Sequence, residues 1–165
     1  MMPFQRILVP TDFGPAAQHA ADLAVSIGER FDSTITILHV YTLPSAFAPY
    51  LETMPLPTHD FVTAARQALS LEVDRVKKRY GRVTPELASG FAWQEIIEYT
   101  KTGFDLVVMG THGRKGISRL VLGSVAEKLV RLSPIPVLTV PSEPHVAQPA
   151  RRGAPSTEPS ASTPH

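Results

Sequence analysis

The sequence predicts an α/β fold with an open parallel sheet and helices on both of its faces. Five short segments indicate strands, and most are continuous apolar runs, which are typical of strands covered on both sides. Between them lie four segments whose apolar residues recur every three or four positions, as in amphipathic helices. Because strands and helices alternate along the chain, the strands are expected to be parallel and joined by right-handed crossovers.

The strand candidates are short and are separated by helical patterns. In chain order they are "FQRILVP" (4–10), "STITILHVY" (33–41), the weaker "TPELASGF" (84–91), "DLVVMG" (105–110) and "PVLTVP" (136–141). Pro136 cannot donate a hydrogen bond to a ladder, so we expect it as the first residue of a strand or on an edge strand.

Each helix candidate has one apolar face. In 59–80, for example, Phe61, Ala65 and Leu69 follow one another at a spacing of four residues. The helix candidates span 15–30, 59–80, 92–102 and 125–132. The predicted order of elements is therefore βαβαβαβαβ.

Composition limits the class of protein and its location. The 165 residues fit one domain plus some irregular sequence, and the net charge of +1 is too weak to attract nucleic acid or an anionic membrane. Cysteine is absent, which excludes disulfides and thiol catalysis and suits a reducing compartment. No apolar run has the roughly 18 residues of a membrane span, and a strand pattern by Phe4 leaves no room for a signal peptide. We therefore expect a cytoplasmic protein.

Two segments stand apart from the repeating pattern. The proline-rich stretch 42–57 has no clear period and is either a lid or binding loop, or a loop packed on the surface. The stretch 142–165 is rich in Pro, Ser and Ala and nearly lacks large apolar residues, so it is predicted to be disordered, with Arg151 and Arg152 as solvated charges. The predicted organisation is one domain over 1–141 and a tail over 142–165.

The stretch "GTHGRKGISRLVLGS" (110–124) is rich in glycine but fits neither standard phosphate-binding motif. A Walker loop requires Lys and then Ser or Thr directly after its last glycine, and "GK[ST]" does not occur here. A dinucleotide fingerprint requires GxGxxG after the first strand, whereas Gly110, Gly113 and Gly116 are spaced GxxGxxG after the fourth strand candidate.

The requirements of anion binding can nevertheless be met by these residues. Glycine at Gly110 and Gly113 would let backbone N–H groups approach a ligand without a Cβ in the way. Arg114, Lys115 and Arg119 add positive potential. The alternative is that Gly110 only makes a turn at the end of a strand.

The end of the same stretch predicts the start of a helix. Ser124 and Glu127 form an S-x-x-E capping box, which predicts Ser124 as the N-cap. A helix N-terminus offers unpaired N–H groups and about half a positive charge, which suits phosphate. Ser124 could equally be a cap without any ligand.

These features resemble the nucleotide-binding pattern of the universal stress protein family: a strand, G-x2-G, nine residues and G-[ST]. Here the pattern is Gly110, Gly113, residues 114–122, Gly123 and Ser124. Four further segments resemble the family in the same order, namely "RILVPTDFG", "LHV", "DLVVMGTHG" and "LGSVAEKLVRLSPIPVLTVP". The resemblance covers roughly residues 3 to 141 and leaves out the tail.

The resemblance implies a Rossmann-like sheet of the order 3-2-1-4-5, as in the adenine nucleotide alpha hydrolase-like proteins. In open α/β sheets, ligands bind beyond the carboxyl ends of the strands where the strand order reverses. Strands 1 and 4 flank that point, and their carboxyl ends here are "PTD" (10–12) and "MGTHG" (109–113). Both segments are therefore expected to meet in one crevice.

The resemblance also implies ATP as the ligand and a role for each matching residue. Asp12 would lie by the adenine and ribose, Val40 would hold the adenine through its backbone, and Met109 and Gly110 would line the ribose side. Family members that do not bind ATP typically lack the glycines that are present here.

The phosphates would be held by backbone N–H groups and by the Ser124 hydroxyl. The N–H groups would come from Gly113, Gly123, Ser124 and Val125. The complete set of candidate binding residues is Pro10, Thr11, Asp12, Val40, Met109, Gly110, His112, Gly113, Arg114, Gly123, Ser124 and Val125. Mg²⁺ could arrive with the nucleotide, bound largely by phosphates and water.

Some residues have a second interpretation. Asp12 could cap the helix after the first strand, and both roles are compatible. His112 could contact phosphate or act in catalysis, or it could simply face solvent. His19, His39 and His59 lack the spacing of metal ligands, so no protein metal site is assigned.

The sequence therefore favours an ATP-binding protein that acts in a stress response. Phosphoryl transfer requires an oriented nucleophile, and apart from His112 the loop offers no convincing general base, so no catalytic residue is assigned. The alternatives are a slow ATPase, a nucleotidyl or phosphoryl transferase, or an interaction module that prefers AMP or another adenylate. The resemblance also implies a homodimer that pairs through the 136–140 strand, which would cover an apolar edge.

Overall fold

The computed structural model of the chain describes residues 4–42, 58–111 and 122–141, and within them five strands alternate with four helices. The elements are β1 (Arg6–Pro10), α1 (Pro15–Phe31), β2 (Thr34–Tyr41), α2 (Thr58–Lys77), β3 (Val83–Ser89), α3 (Ala92–Thr100), β4 (Leu106–Gly110), α4 (Ser124–Leu132) and β5 (Val137–Val140). The alternation expected from the hydrophobic pattern is confirmed.

The five strands form one parallel sheet of the order β3-β2-β1-β4-β5. Ile7 on the central strand β1 is opposite Ile35 on β2 and Leu106 on β4. The sheet order implied by the resemblance is confirmed, and β1 and β4 are neighbours although α1, β2, α2, β3 and α3 separate them in the chain.

The core consists of two apolar clusters, one on each face of the sheet. Successive side chains of a strand point to opposite faces, so Ile7 and Val9 pack with α1 and α2, whereas Leu8 packs with α3 and α4. The continuous apolar run in β1 is explained by this arrangement, because each of its faces is covered by a helical layer.

Two prolines lie where a sheet tolerates them, one directly before a strand and one within an outer strand. Pro136 lies immediately before β5, and its carbonyl oxygen accepts a hydrogen bond of 3.0 Å from the Val107 N–H. β5 is an outer strand of the described sheet, as expected for a strand that follows proline. At the other outer strand, β3 contains Pro85.

Some predictions concern residues outside the described ranges. Apart from Thr42, whose hydroxyl donates to the Gly90 carbonyl at 2.8 Å, the loop predicted over 42–57 lies outside them. The disordered tail over 142–165 lies outside them as well, so both stay predictions. No helix in the described parts of the chain is long and apolar enough to cross a membrane.

Candidate functional site

A crevice of about 400 Å³ opens beyond the carboxyl ends of β1, β2 and β4, which is the place that the strand order predicts. Its volume is in the range of small-molecule sites, roughly 300 to 1,000 Å³. The candidate residues that line it are Pro10, Thr11, Asp12, Val40, Met109, Gly110, Gly123, Ser124 and Val125. His112, Gly113 and Arg114 lie outside the described residues. Every candidate that the structure describes therefore faces one crevice, and its role in binding stays a prediction.

The 11–14 loop leads from β1 into α1 and forms one wall of the crevice. Thr11 is only 8% exposed, and its N–H donates to the Leu38 carbonyl at 2.8 Å. Its hydroxyl oxygen accepts from the Phe13 N–H at 2.9 Å. The loop is therefore held both by β2 and by its own side chains.

Asp12 braces the turn before α1 and is not the cap of that helix. Its Oδ1 atom accepts a hydrogen bond of 3.0 Å from the Gly14 N–H. Gly14 occupies the N-cap position without a side-chain cap, and the helix begins at Pro15, which suits the first helical position. The suggestion that Asp12 caps this helix is wrong, because Asp12 lies two residues before the N-cap.

His39 contacts the same loop, although no functional role was predicted for it. Its Nδ1 atom lies 2.8 Å from the Thr11 carbonyl oxygen, and because a carbonyl oxygen only accepts, Nδ1 carries the hydrogen. The imidazole also packs on the ring of Phe13, with 4.4 Å between the ring centroids and 37° between the planes. His39 lines the crevice beside Val40.

The start of α4 forms the opposite wall, and the prediction of its N-cap is wrong by one residue. Gly123 is the N-cap in extended conformation, without a side-chain cap, and Ser124 is the first helical residue. The Gly123 carbonyl already accepts the first helical hydrogen bond, 2.8 Å from the Glu127 N–H. Because glycine is also a favourable N-cap, the helix begins one position earlier than the capping box predicts. The exposed Ser124 hydroxyl is therefore not used as the cap.

The Gly123 N–H donates to the Thr111 carbonyl oxygen at 2.7 Å and so attaches the start of α4 to the end of β4. This N–H therefore already has an acceptor, which differs from the predicted role of donating to phosphate. Gly123 contributes to the wall chiefly by having no side chain, and the next residues, Ser124 and Val125, form the first turn of the helix.

Gly110 has a packing role that the sequence did not indicate. A Cβ built there would lie 2.7 Å from the Ala16 Cβ atom and 2.8 Å from the Ala16 carbonyl carbon. Real Cβ atoms essentially never approach so closely, so only glycine lets the first turn of α1 pack on the end of β4. The absence of a side chain at Gly110 is thus required even without a ligand.

The rest of the crevice is largely apolar and includes residues that the motif does not contain. The additional lining residues are Ala17, Leu38, His39, Ala92, Ile96, Thr111 and Ala126. Ala92 and Ile96 come from α3, which reaches the crevice because it packs on the same face of the sheet as α4. The signal that could have found them is the strand order, since α3 directly precedes β4 in the chain.

The described part of the crevice holds few titratable groups. Asp12 and His39 are the titratable side chains among its described lining residues. Within the described residues, no cluster of three or more His, Cys, Asp or Glu could hold a metal ion. The apolar lining of the crevice can bind an uncharged ring. The start of α4 can bind an anion, because a helix N-terminus carries partial positive charge.

Comparisons with known proteins agree with this architecture. A model of the universal stress protein family matches residues 3–141. A universal stress protein of Methanocaldococcus jannaschii is 31% identical over 140 residues, which cover 83% of this chain and 82% of the relative. The solved structure of the universal stress protein UspA from Lactobacillus plantarum has a TM-score of 0.70 and 27% identity, covering 84% of this chain and 98% of that chain. A universal stress protein solved in complex with cAMP has a TM-score of 0.63 and 23% identity, covering 86% and 99%, and shares the fold.

Proposed function

This chain belongs to the universal stress protein family, and on that basis we propose that it binds ATP and acts as a nucleotide-dependent regulator in a stress response. The observation that carries the proposal is the convergence of the candidate residues for adenine, ribose and phosphate on one crevice of about 400 Å³. Those residues come from three separate parts of the sequence, at the ends of β1 and β2 and from β4 to α4.

The shape and polarity of the crevice support a bound adenine nucleotide. The adenine would lie against apolar side chains such as Leu38, Val40 and Ile96, with Asp12 beside the ribose. The phosphates would lie at the start of α4, where Gly123 presents no side chain and the helix N-terminus attracts negative charge. Mg²⁺ would accompany the phosphates and keep mostly phosphate and water ligands.

The titratable groups that the structure describes in the crevice favour binding over efficient turnover. Phosphoryl transfer requires a positioned nucleophile and strong charge neutralisation. Asp12 accepts from the Gly14 N–H, and His39 uses Nδ1 to bind the Thr11 carbonyl, so both have a structural task in the 11–14 loop. We therefore expect at most slow ATP hydrolysis.

The main alternative is an interaction module that prefers AMP or another adenylate. It is worth testing because a universal stress protein with this fold has been solved in complex with cAMP. A ligand of this class would occupy the apolar part of the crevice and, with a single phosphate, would make fewer contacts with the start of α4. A slow ATPase or a nucleotidyl or phosphoryl transferase is the enzymatic alternative.

Binding measurements separate these functions. Calorimetry with ATP, ADP, AMP and cAMP is followed by an assay of ATP hydrolysis over hours. The proposal requires ATP to bind best and turnover to stay well below about one per second, the lower end of ordinary enzymes. Absence of ATP binding would refute the proposal, preference for AMP or cAMP would support the interaction module, and turnover of about one per second or faster would support an enzyme.

Gly123→Val tests whether phosphate lies against the crevice wall formed by the start of α4. A branched side chain would enter the space expected for phosphate, so ATP binding should be lost while the circular dichroism spectrum stays that of the wild type. The matched control is Gly81→Val, because a Cβ at Gly81 meets no atom within 4 Å and Gly81 does not line the crevice. Unchanged ATP affinity of Gly123→Val would show that phosphate does not lie at this wall.

We further propose that the protein is a cytoplasmic homodimer that pairs through β5. The lack of cysteine suits a reducing compartment. β5 is an outer strand of the described sheet, and its Leu138 is 38% exposed. Pairing with a second copy would cover this apolar edge.

A further inference from the structure

We propose that His39 is a positioning residue that holds Asp12 in place for the nucleotide, because it contacts the residues on both sides of Asp12. On one side its Nδ1 atom donates to the Thr11 carbonyl at 2.8 Å. On the other side its ring packs on Phe13, with centroids 4.4 Å apart. This inference rests on the proposed function, since Asp12 is the residue expected beside the adenine and ribose.

The first contact binds a buried backbone group. Pro10 opposite Leu38 is the last register pair of β1 and β2, and the Thr11 N–H extends the ladder by donating to the Leu38 carbonyl. Thr11 is buried, so its carbonyl oxygen requires a donor inside the protein. The His39 side chain supplies that donor from the neighbouring strand, and loss of the imidazole would release this end of the loop.

The second contact supports an unfavourable backbone conformation. Phe13 has a φ of 65°, a left-handed value that is uncommon for a residue with a side chain and that persists only where the surroundings hold it. Packing on His39 and against the core cluster beneath α1 and α2 supplies such surroundings. The same imidazole thus fixes the residue before Asp12 and the residue after it.

The expected consequence is a change in nucleotide affinity that passes through Asp12. A protein whose binding-competent conformation is populated only in part loses affinity by that fraction. Suppose that, without the His39 imidazole, the 11–14 loop holds Asp12 in its binding-competent position in about one molecule in ten. The dissociation constant of ATP then rises about tenfold.

The first experiment measures the loop without any ligand. Amide hydrogen exchange of Phe13 and Gly14, which donate to the side chains of Thr11 and Asp12, reports whether the 11–14 loop is held. In His39→Leu both amides should exchange faster, while the Val108 amide in the buried sheet should not. His39→Asn, whose side-chain N–H reaches the position of Nδ1, should restore most of the protection. Unchanged exchange of Phe13 and Gly14 in His39→Leu would overturn the inference.

The second experiment is a double-mutant cycle on ATP affinity, with His39→Leu, Asp12→Ala and the double variant. His39→Leu alone should weaken ATP about tenfold, whereas in the Asp12→Ala background it should have less than about a twofold effect. Equal effects in both backgrounds would show that His39 does not act through Asp12. The matched control is His19→Leu, because His19 lies on α1 and does not line the crevice.

The two experiments fail in distinguishable ways. If wild-type protein does not bind ATP, the proposed function is wrong, while the exchange measurement still decides whether His39 holds the loop. If ATP binds and the exchange result is as expected but the cycle is additive, His39 holds the loop without placing Asp12 for the nucleotide. That result overturns the inference and leaves the proposed function standing.

Discussion

At Gly110, the space that a side chain would fill is occupied by the first turn of α1. The resemblance gives this glycine a place beside the ribose, and the structure gives it a packing reason that is independent of any ligand. Both reasons apply to the same position, because Gly110 at the end of β4 lines the crevice and also packs against Ala16 in the first turn of α1.

We therefore expect Gly110→Ala to destabilise the fold by about 1 to 3 kcal/mol, since the added methyl group must displace the backbone of α1. Urea unfolding followed by circular dichroism measures the free energy of unfolding. Gly81→Ala is the matched control and should change that free energy by no more than about 0.5 kcal/mol, because Gly81 is exposed and its Cβ would meet open space. Equal stability of the two variants would contradict the packing role.

The residues of the crevice could be predicted in part from the sequence. Asp12, Val40 and Ser124 lie at positions that a motif identifies, because a ligand constrains residue type and spacing there. His39 was missed because its contact with Thr11 depends on the register of β2 against β1, which no local pattern gives. The N-cap of α4 was misplaced because glycine and serine in succession are both acceptable caps.

Among the elements, α1 and α2 are joined by a partly buried ionic contact. The Arg75 guanidinium donates to both carboxylate oxygens of Glu72, at 2.9 and 3.0 Å, and to Asp22 on α1 at 2.7 Å. Glu72 is only 5% exposed, so its charge requires this partner. The hydrogen bonds that the guanidinium donates to Glu72 raise the pKa of Arg75 above its usual range, which keeps the guanidinium charged.

We expect Glu72→Gln to cost about 1 to 3 kcal/mol of stability at neutral pH, because it breaks a charge-assisted pair in a buried place. Chemical unfolding at low and high salt measures the cost. The matched control is Glu98→Gln, which removes an exposed i,i+3 pair with Lys101 and should change stability by less than about 1 kcal/mol. A cost of Glu72→Gln as small as that of the control would show that the contact does not stabilise the α1–α2 layer.

The elements themselves were largely predictable, because periodicity depends on which faces are buried. β1, with Ile7, Leu8 and Val9 fully buried, has a continuous apolar run that identifies a central strand. β3 was a weaker candidate because it is an outer strand in which only Val83 is buried and Pro85 and Glu86 are exposed. The order of the strands could not be derived from periodicity and required the resemblance.

For the molecule as a whole, the two outer strands of the described sheet differ in character. β3 presents Pro85 and Glu86, which discourage pairing with another strand. β5 has the sequence "VLTV", carries no charge and leaves Leu138 partly exposed. This asymmetry favours β5 as the edge that pairs in the proposed homodimer.

Leu138→Arg should therefore convert the proposed dimer into a monomer, since each copy would carry a charge on the apolar edge that is proposed to pair. Sedimentation velocity at micromolar concentrations measures the oligomeric state. Leu71→Arg is the matched control, because Leu71 is 72% exposed on α2 and lies away from β5. A dimer that persists in Leu138→Arg, or a monomeric wild type, would contradict pairing through β5.

The parallel sheet also separates the two ends of the described domain. Phe4 precedes β1 at the amino ends of the strands, whereas Pro141 follows β5 at the carboxyl ends, where the crevice opens. Pro141 lies close to α1, because its carbonyl oxygen is 3.5 Å from the His19 Nδ1 atom. A fluorescent reporter or a surface tether joined after Pro141 would stand at the same end of the sheet as the crevice, whereas one joined before Phe4 would stand at the opposite end. Biosensors built on this domain thus have a reporting terminus and an immobilising terminus, set by the direction of its strands.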